Sequence, residues 1–252
     1  MLTVPASADR VERLPIGASP EPRLRVGGLT PLSATDYPER LSAVVFCQGC
    51  PWRCGYCHNP HLLPARGAAE LHWRDVIAFL ERRIGLLDAV VFSGGEPLAQ
   101  AGLPSAMRAV SAMGFAVGLH TGGAYPQRFA AVLPLVDWVG FDVKAAFADY
   151  PRVTGVGRSG NPARASALRL LASGVAHEFR TTVHPRQHTP ESLATLADHL
   201  AQLGVRRYAL QAFCASGCAD RALLAGERAS FLTSAFCAGI AARFERFVVR
   251  PA

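Results

Sequence analysis

Ser42-Ala-Val-Val-Phe46-Cys47-Gln-Gly-Cys50-Pro-Trp-Arg-Cys54-Gly-Tyr56-Cys57-His58-Asn59-Pro60 is the stretch from which the rest of the chain is read. An apolar, β-branched run ends in three cysteines at C-x3-C-x2-C spacing, so one short loop carries three thiols just past a strand. Three thiolates on one loop can wrap one face of an iron–sulfur cubane. A cubane needs four ligands, so one iron is left for a ligand that is not protein. Cys47 makes a second reading available, in which Cys47-x2-Cys50-x3-Cys54-x2-Cys57 closes around zinc in a non-enzymatic interaction module. Structural zinc usually takes two pairs parted by a longer spacer and keeps no open position. A closed ferredoxin-type cluster is a third reading, but Cys214, Cys218 and Cys237 are too loosely arranged to complete it.

Composition narrows the class. The 252 residues fit one sizeable domain, and half of them are apolar, so a substantial core is available. No apolar run approaches the length of a membrane span. Residues 1–25 mix Pro, Arg, Glu and Ser without a charged leader and apolar segment, and read as a flexible lead-in to a single domain over 26–252. Seven cysteines, several crowded into one loop, argue against a secreted disulfide scaffold and for a reducing cytoplasm. The net charge of +7 is scattered in single arginines and short pairs, so no nucleic-acid stripe is expected. Lys144 is the only lysine, which suggests a position that wants a compact ammonium rather than a planar guanidinium.

Short apolar runs alternate with amphipathic stretches. Strands are predicted over 42–46, 88–93, 116–121, 138–143, 178–183 and 206–211, with 244–249 as an edge. Helices are predicted over 73–83, 98–113, 126–133, 162–173, 190–203 and 227–243. Such alternation implies parallel strands joined by right-handed crossovers. The expected fold is α/β, a partial (β/α)6 TIM-type barrel. In it the strand C-termini carry the site, and the motifs fall there one after another.

Gly94-Gly95-Glu96-Pro97 follows the second strand, and its glycines permit close backbone approach to a ligand. His120-Thr121-Gly122-Gly123 follows the third; its histidine reads as a ligand contact, a proton carrier or a structural residue. Asp142-Val143-Lys144 ends the fourth and puts two charges on one side of an extended chain, suited to ribose hydroxyls and a carboxylate. Arg180, on the fifth, can face a carboxylate bidentately or form a structural salt bridge. Gly155-Val-Gly157-Arg-Ser-Gly160 fits G-x-G-x-x-G but follows no strand, so no dinucleotide site is expected. Cys214-Ala-Ser-Gly-Cys218 reads as a flexible loop with free thiols.

The cysteine run with its flanks, and the Gly-Gly-Glu-Pro segment behind it, resemble the radical S-adenosylmethionine (radical SAM) superfamily. Within it, the segment 46–60 and Ser33-Ala-Thr-Asp36-Tyr37-Pro38 are similar to the glycyl-radical-enzyme activases, particularly the activating proteins of anaerobic ribonucleoside-triphosphate reductase. Two positions depart from that pattern. Glu39 stands where glycine commonly follows the proline, and His120-Thr121-Gly122-Gly123 replaces an Asp-Thr-Asn-Gly segment.

The resemblance implies a [4Fe-4S] cluster on Cys50, Cys54 and Cys57, with Cys47 a spectator, and S-adenosylmethionine on the open iron. Tyr56, Gly94, Gly95, Glu96, His120, Thr121, Asp142, Lys144 and Arg180 are the implied cofactor contacts. Reductive cleavage to a 5′-deoxyadenosyl radical, hydrogen abstraction from a glycine of a partner enzyme, and a flavodoxin- or ferredoxin-type electron donor follow from it. The partner implied is a glycyl-radical enzyme such as anaerobic ribonucleotide reductase. A radical SAM enzyme acting on a small molecule or nucleoside is the alternative within the same superfamily.

Overall fold

A computed structural model describes residues 24–68, 70–218, 220–224 and 231–251. Nearly all of the expected lead-in, and the start of the helix expected over 227–243, lie outside them. Eight strands form one sheet in sequence order: β1 (Val26–Ser33), β2 (Ser42–Cys47), β3 (Ala89–Gly94), β4 (Ala116–Thr121), β5 (Trp138–Asp142), β6 (Ala176–Val183), β7 (Arg207–Ala212) and β8 (Arg246–Arg250). From β2 to β8 every neighbour is parallel. Among the described residues the sheet ends at β1 and β8 without closing on itself, which makes it an open, partial TIM-type barrel.

The strand runs Ala43-Val-Val and Ala89-Val-Val-Phe92 are fully or almost fully buried. Both faces of the sheet are covered there, which is why these runs read as continuous apolar text. The outer face is covered by α1 (Trp73–Glu81), α2 (Leu103–Ala112), α3 (Pro126–Val132), α5 (Gly160–Ser173), α6 (Pro190–Gln202) and α8 (Ser234–Ala241), whereas α4 (Tyr150–Thr154) and α7 (Arg221–Leu224) sit against the cysteine loop. A smaller cluster of Tyr37, Val44, Ala89, Val91 and Trp138 is separate from that layer and lies on the inner face. It plugs the barrel at the N-terminal ends of the strands. No described helix is long and apolar enough to cross a membrane.

Local chemistry explains the boundaries. Thr189 and Ser192 form a reciprocal capping box ahead of α6, with Pro190 at its first position. Gly174 ends α5 in the left-handed region at φ +73°. The helix expected over 98–113 starts later, at Leu103, because 97–99 form a single 3-10 turn capped by the Glu96 side chain. β1 is the element the sequence did not announce. Its Gly27, Gly28 and Pro31 weaken a strand reading, yet an edge strand with register shifts accommodates all three. The edge expected over 244–249 is β8, a seventh parallel strand.

Glu39 adopts φ +62°, which accounts for the glycine that similar sequences place there. A left-handed L-residue costs about 1–2 kcal/mol, partly offset by the entropy glycine loses on folding. Glu39→Gly is therefore expected to raise stability by about 0.5–1 kcal/mol in urea titration.

Candidate active site

A cavity of about 840 Å³ occupies the barrel interior, reaching from the cysteine loop past His120 to the segment 34–39. Cys50, Cys54 and Cys57 line it, and all seven cysteines are free thiols. Cys47 does not line it: as the last residue of β2 it is fully buried in the core, and burial pushes its thiol far up. The fourth thiol that a closed zinc site requires is thus packed away from the other three.

The cysteine loop is held by backbone hydrogen bonds from Gly49 to Leu62 (2.7 Å), Cys50 to Leu63 (3.1 Å) and Arg53 to Thr154 (2.8 Å). The segment after β3 braces it from the other side. The Gly95 N–H donates to the carbonyl of Cys47 and the Glu96 N–H to that of Gly49, both at 2.9 Å. The glycines are spent here. Gly94 has φ +114° and any Cβ would run into the Cys47 backbone, while one on Gly95 would lie 2.5 Å from the Gly49 oxygen. Close approach at this point is to the cysteine loop, and what the segment can still offer a ligand is its carbonyls.

Glu96 is buried, and its carboxylate accepts hydrogen bonds from Thr121 Oγ1 (2.7 Å), Gly122 N (3.1 Å) and Leu98 N (3.1 Å). Burial nevertheless raises its pKa. The Thr121 hydroxyl also accepts from Gly123 N (2.9 Å). Glu96 and Thr121, both expected as cofactor contacts, join the loops after β3 and β4 to each other.

Asp142 and Arg180 face one another directly in the β5–β6 register. Arg180 Nε and Nη2 both lie 2.9 Å from Asp142 Oδ1. The salt-bridge alternative for Arg180 is therefore the one the fold realises, although both residues line the cavity. Burial works against the Asp142 charge, but Arg180 and Lys144 outweigh it and hold the carboxyl below its usual range. Gly140 makes the pairing possible, since a Cβ there would lie 2.7 Å from the guanidinium carbon. A glycine inside a strand was the signal available for this close approach.

Lys144 points its ammonium at two rings, 5.9 Å from the centre of Trp52 and 5.8 Å from that of Tyr56. Burial would strip its proton, yet Tyr56, Cys54 and Asp142 hold its pKa well above the usual lysine value. Its backbone is pinned by Tyr150 Oη to its N–H (3.2 Å) and His188 Nε2 to its carbonyl (2.8 Å). Trp52 and Tyr150, which meet edge to face at 5.8 Å, were not anticipated as site residues.

His120 is buried, with Nε2 2.8 Å from the Asp36 carbonyl and 3.2 Å from Arg180 Nη1. Burial first, and Arg180 second, lower its pKa from 6.5 to about 4. It is neutral when folded, so its contribution to stability is complete above the unfolded value and is lost as pH falls through about 4. At about 1.4 kcal/mol per unit, the loss is of the order of 3 kcal/mol. Urea unfolding of cluster-free protein from about pH 7 to about pH 4 should show it, and His120→Asn should lack that share of the acid sensitivity.

Two other expectations resolve. Gly155 ends α4 in the left-handed region and Gly160 opens α5 beneath the Phe147 carbonyl, so the G-x-G-x-x-G match is a helix–helix connection. The loop after β7 is docked rather than loose. Phe213 packs on His58 and His184 with ring centres 5.6 and 4.7 Å apart, and Cys218 is buried with its thiol 3.5 Å from the Gly55 carbonyl.

The donor set suits a cluster. Cys50, Cys54 and Cys57 all line the one cavity, and a cubane offers a separate corner to each of three thiolates. Burial, with Glu96 nearby, pushes Cys50 up to about 12, and burial also raises Cys54. Such thiols ionise when a metal supplies the compensating charge.

Comparison with known proteins agrees with this geometry. Residues 44–200 match the radical SAM superfamily model. A provisionally named glycyl-radical enzyme activating enzyme of Methanocaldococcus jannaschii, MJ1227, is 31% identical over 197 residues, covering 75% of this chain and 79% of that one. The pyruvate formate-lyase-activating enzyme of Clostridium pasteurianum is 32% identical over 142 residues, 54% of this chain and 59% of that one. Among solved structures, Streptococcus suis SuiB superposes with a TM-score of 0.62 at 12% identity, covering 81% of this chain and 47% of that one, a likeness of fold alone. The matched model takes in the cysteine loop, the glycine segment and the strand ends that bear Asp142 and Arg180, and the chain belongs to the radical SAM superfamily.

Proposed function

We propose that this chain is an activase, generating a glycyl radical on a partner enzyme. The segregation of the thiols carries the radical SAM half of the reading, and the two relatives carry its activase half. Cys50, Cys54 and Cys57 line one cavity while Cys47 is buried elsewhere, so three protein ligands leave one corner of a cubane open. Both relatives described above are named as activating enzymes.

When bound, the [4Fe-4S] cluster and S-adenosylmethionine supply a 5′-deoxyadenosyl radical by one-electron cleavage of the sulfonium. This chain's residues do the positioning. Cys50, Cys54 and Cys57 would hold the cluster, and the backbone of Gly94 and Gly95, fixed by Glu96 and Thr121, would take the methionyl amino group. The Lys144 ammonium, close to the rings of Trp52 and Tyr56, would take the carboxylate. Asp142, oriented by Arg180, would take the ribose hydroxyls, and His120 stands beside Arg180 in that array. Trp52 and Tyr56 give the cavity an apolar wall, and the remaining task is to align two carbons for hydrogen transfer. Among the described residues β1 and β8 do not pair, and that side of the barrel is the entry proposed for a partner's extended segment.

The partner proposed is a glycyl-radical enzyme, with anaerobic ribonucleotide reductase foremost, and the electron donor a flavodoxin or ferredoxin. Seven free thiols suit a cytoplasmic setting. The test is anaerobic reconstitution with S-adenosylmethionine, a reductant and candidate glycyl-radical enzymes, followed by electron paramagnetic resonance. A glycine-centred doublet on the partner, with stoichiometric 5′-deoxyadenosine, is expected. Turnover with a metabolite and no doublet would place the chain among the small-molecule enzymes of the superfamily.

A further inference from the structure

The floor of the cavity and the cofactor side of the site are joined by one chain of polar contacts, which starts at a half-exposed turn and becomes buried at His120 and Arg180. Ser33 Oγ donates to Asp36 Oδ2 (2.5 Å) and accepts the N–H groups of Thr35 and Asp36 (both 3.2 Å), which fixes the turn below the cavity. The Asp36 carbonyl meets His120 Nε2, the same nitrogen lies beside Arg180 Nη1, and Arg180 grips Asp142. Trp138 packs on two members of this array, His120 at 5.5 Å between ring centres and the Arg180 guanidinium at 6.0 Å, and on Tyr37 of the adjoining segment, also at 5.5 Å. Gly140 lies between His120 and Glu178 in the strand register and leaves the gap through which Arg180 reaches the histidine.

The arrangement has two states, because a neutral imidazole nitrogen cannot serve both neighbours. Protonated, Nε2 donates to the Asp36 carbonyl and can take nothing from Arg180. Bare, it accepts from Arg180 and repels the carbonyl. We propose that His120 is a positioning residue that transmits the placement of the segment 33–39 to Asp142, through a choice between these two tautomers. With the segment seated, the proton sits on Nε2 and Arg180 is committed to Asp142. With the segment displaced, the proton moves to Nδ1, Arg180 divides between His120 and Asp142, and the ribose-binding carboxylate loses its fixed orientation. The proposal rests on the activase reading for its purpose: a polypeptide entering the barrel presses on the segment 33–39, so radical formation is tied to the partner's presence. Burial and Arg180 keep His120 neutral at ordinary pH, which leaves the tautomer as its only variable.

Two measurements test it without any partner. Imidazole ¹⁵N spectra of cluster-free protein should show His120 as the Nε2–H tautomer in the wild type. They should show a shift toward Nδ1–H in Ser33→Ala, which loosens the turn, spares the core and keeps the Asp36 carboxylate, whose Oδ1 lies 3.8 Å from His120 Nδ1. In reconstituted protein, His120→Ala should weaken S-adenosylmethionine binding about tenfold, the scale of lost supporting contacts. His120→Asn, whose amide can donate to Asp36 and accept from Arg180 at once, should bind within about threefold of wild type. An Nδ1–H wild type, a tautomer unmoved by Ser33→Ala, or unaltered affinity in His120→Ala would each overturn the coupling. Failure to find a glycyl radical would remove the activase reading and leave these measurements standing.

Discussion

Cys50→Ala, Cys54→Ala and Cys57→Ala are each expected to lose the cluster and all S-adenosylmethionine cleavage, whereas Cys47→Ala keeps both. Each of the three supplies one corner, and a cubane left with two protein thiolates is shed or degrades. The side chain at 47 is fully buried behind the loop, so its loss removes packing alone, about 1–2 kcal/mol of folding stability. Iron and sulfide analysis of anaerobically reconstituted variants separates the outcomes, with urea titration for the stability term. Loss of iron in Cys47→Ala equal to that in the other three would show a four-thiol site and sink the open-corner reading.

The second large effect is expected at Asp142. Replacing it with alanine strands the Arg180 guanidinium, whose side chain is 9% exposed. Leaving one member of a buried pair unpartnered costs about 3–5 kcal/mol, and here about 2–4 because the carboxylate edge is wet. Asp142→Ala combined with Arg180→Met removes both charges and should recover most of that loss, a favourable coupling that a double-mutant cycle measures. Cofactor binding should behave differently, since the double variant stays defective when the carboxylate itself holds ribose. Additive stability losses would mean that the pair is not energetically joined. Full affinity in either variant would remove Asp142 from the cofactor site.

Much of this was legible in the amino-acid order. The strands over 42–47, 89–94 and 116–121 were readable because parallel strands covered on both faces must be short, apolar and β-branched. The cysteine spacing was readable because ligand geometry is local: Cys50, Cys54 and Cys57 are within one loop's reach of a cluster whatever the rest of the chain does. β1 was not, since Gly27, Gly28 and Pro31 disguise an edge strand whose partner makes it a strand.

The sequence by itself therefore determined the alternation of strand and helix, the rim on which the motifs collect, and the three-thiol loop. Only the tertiary structure decided how those residues are spent. Register set Asp142 against Arg180, the bracing of the cysteine loop consumed Gly94 and Gly95, and burial set Cys47 apart from its neighbours. Each of these depends on which backbone atoms meet across strands distant in the chain. Periodicity and composition carry which face a residue takes, but not which partner it finds there.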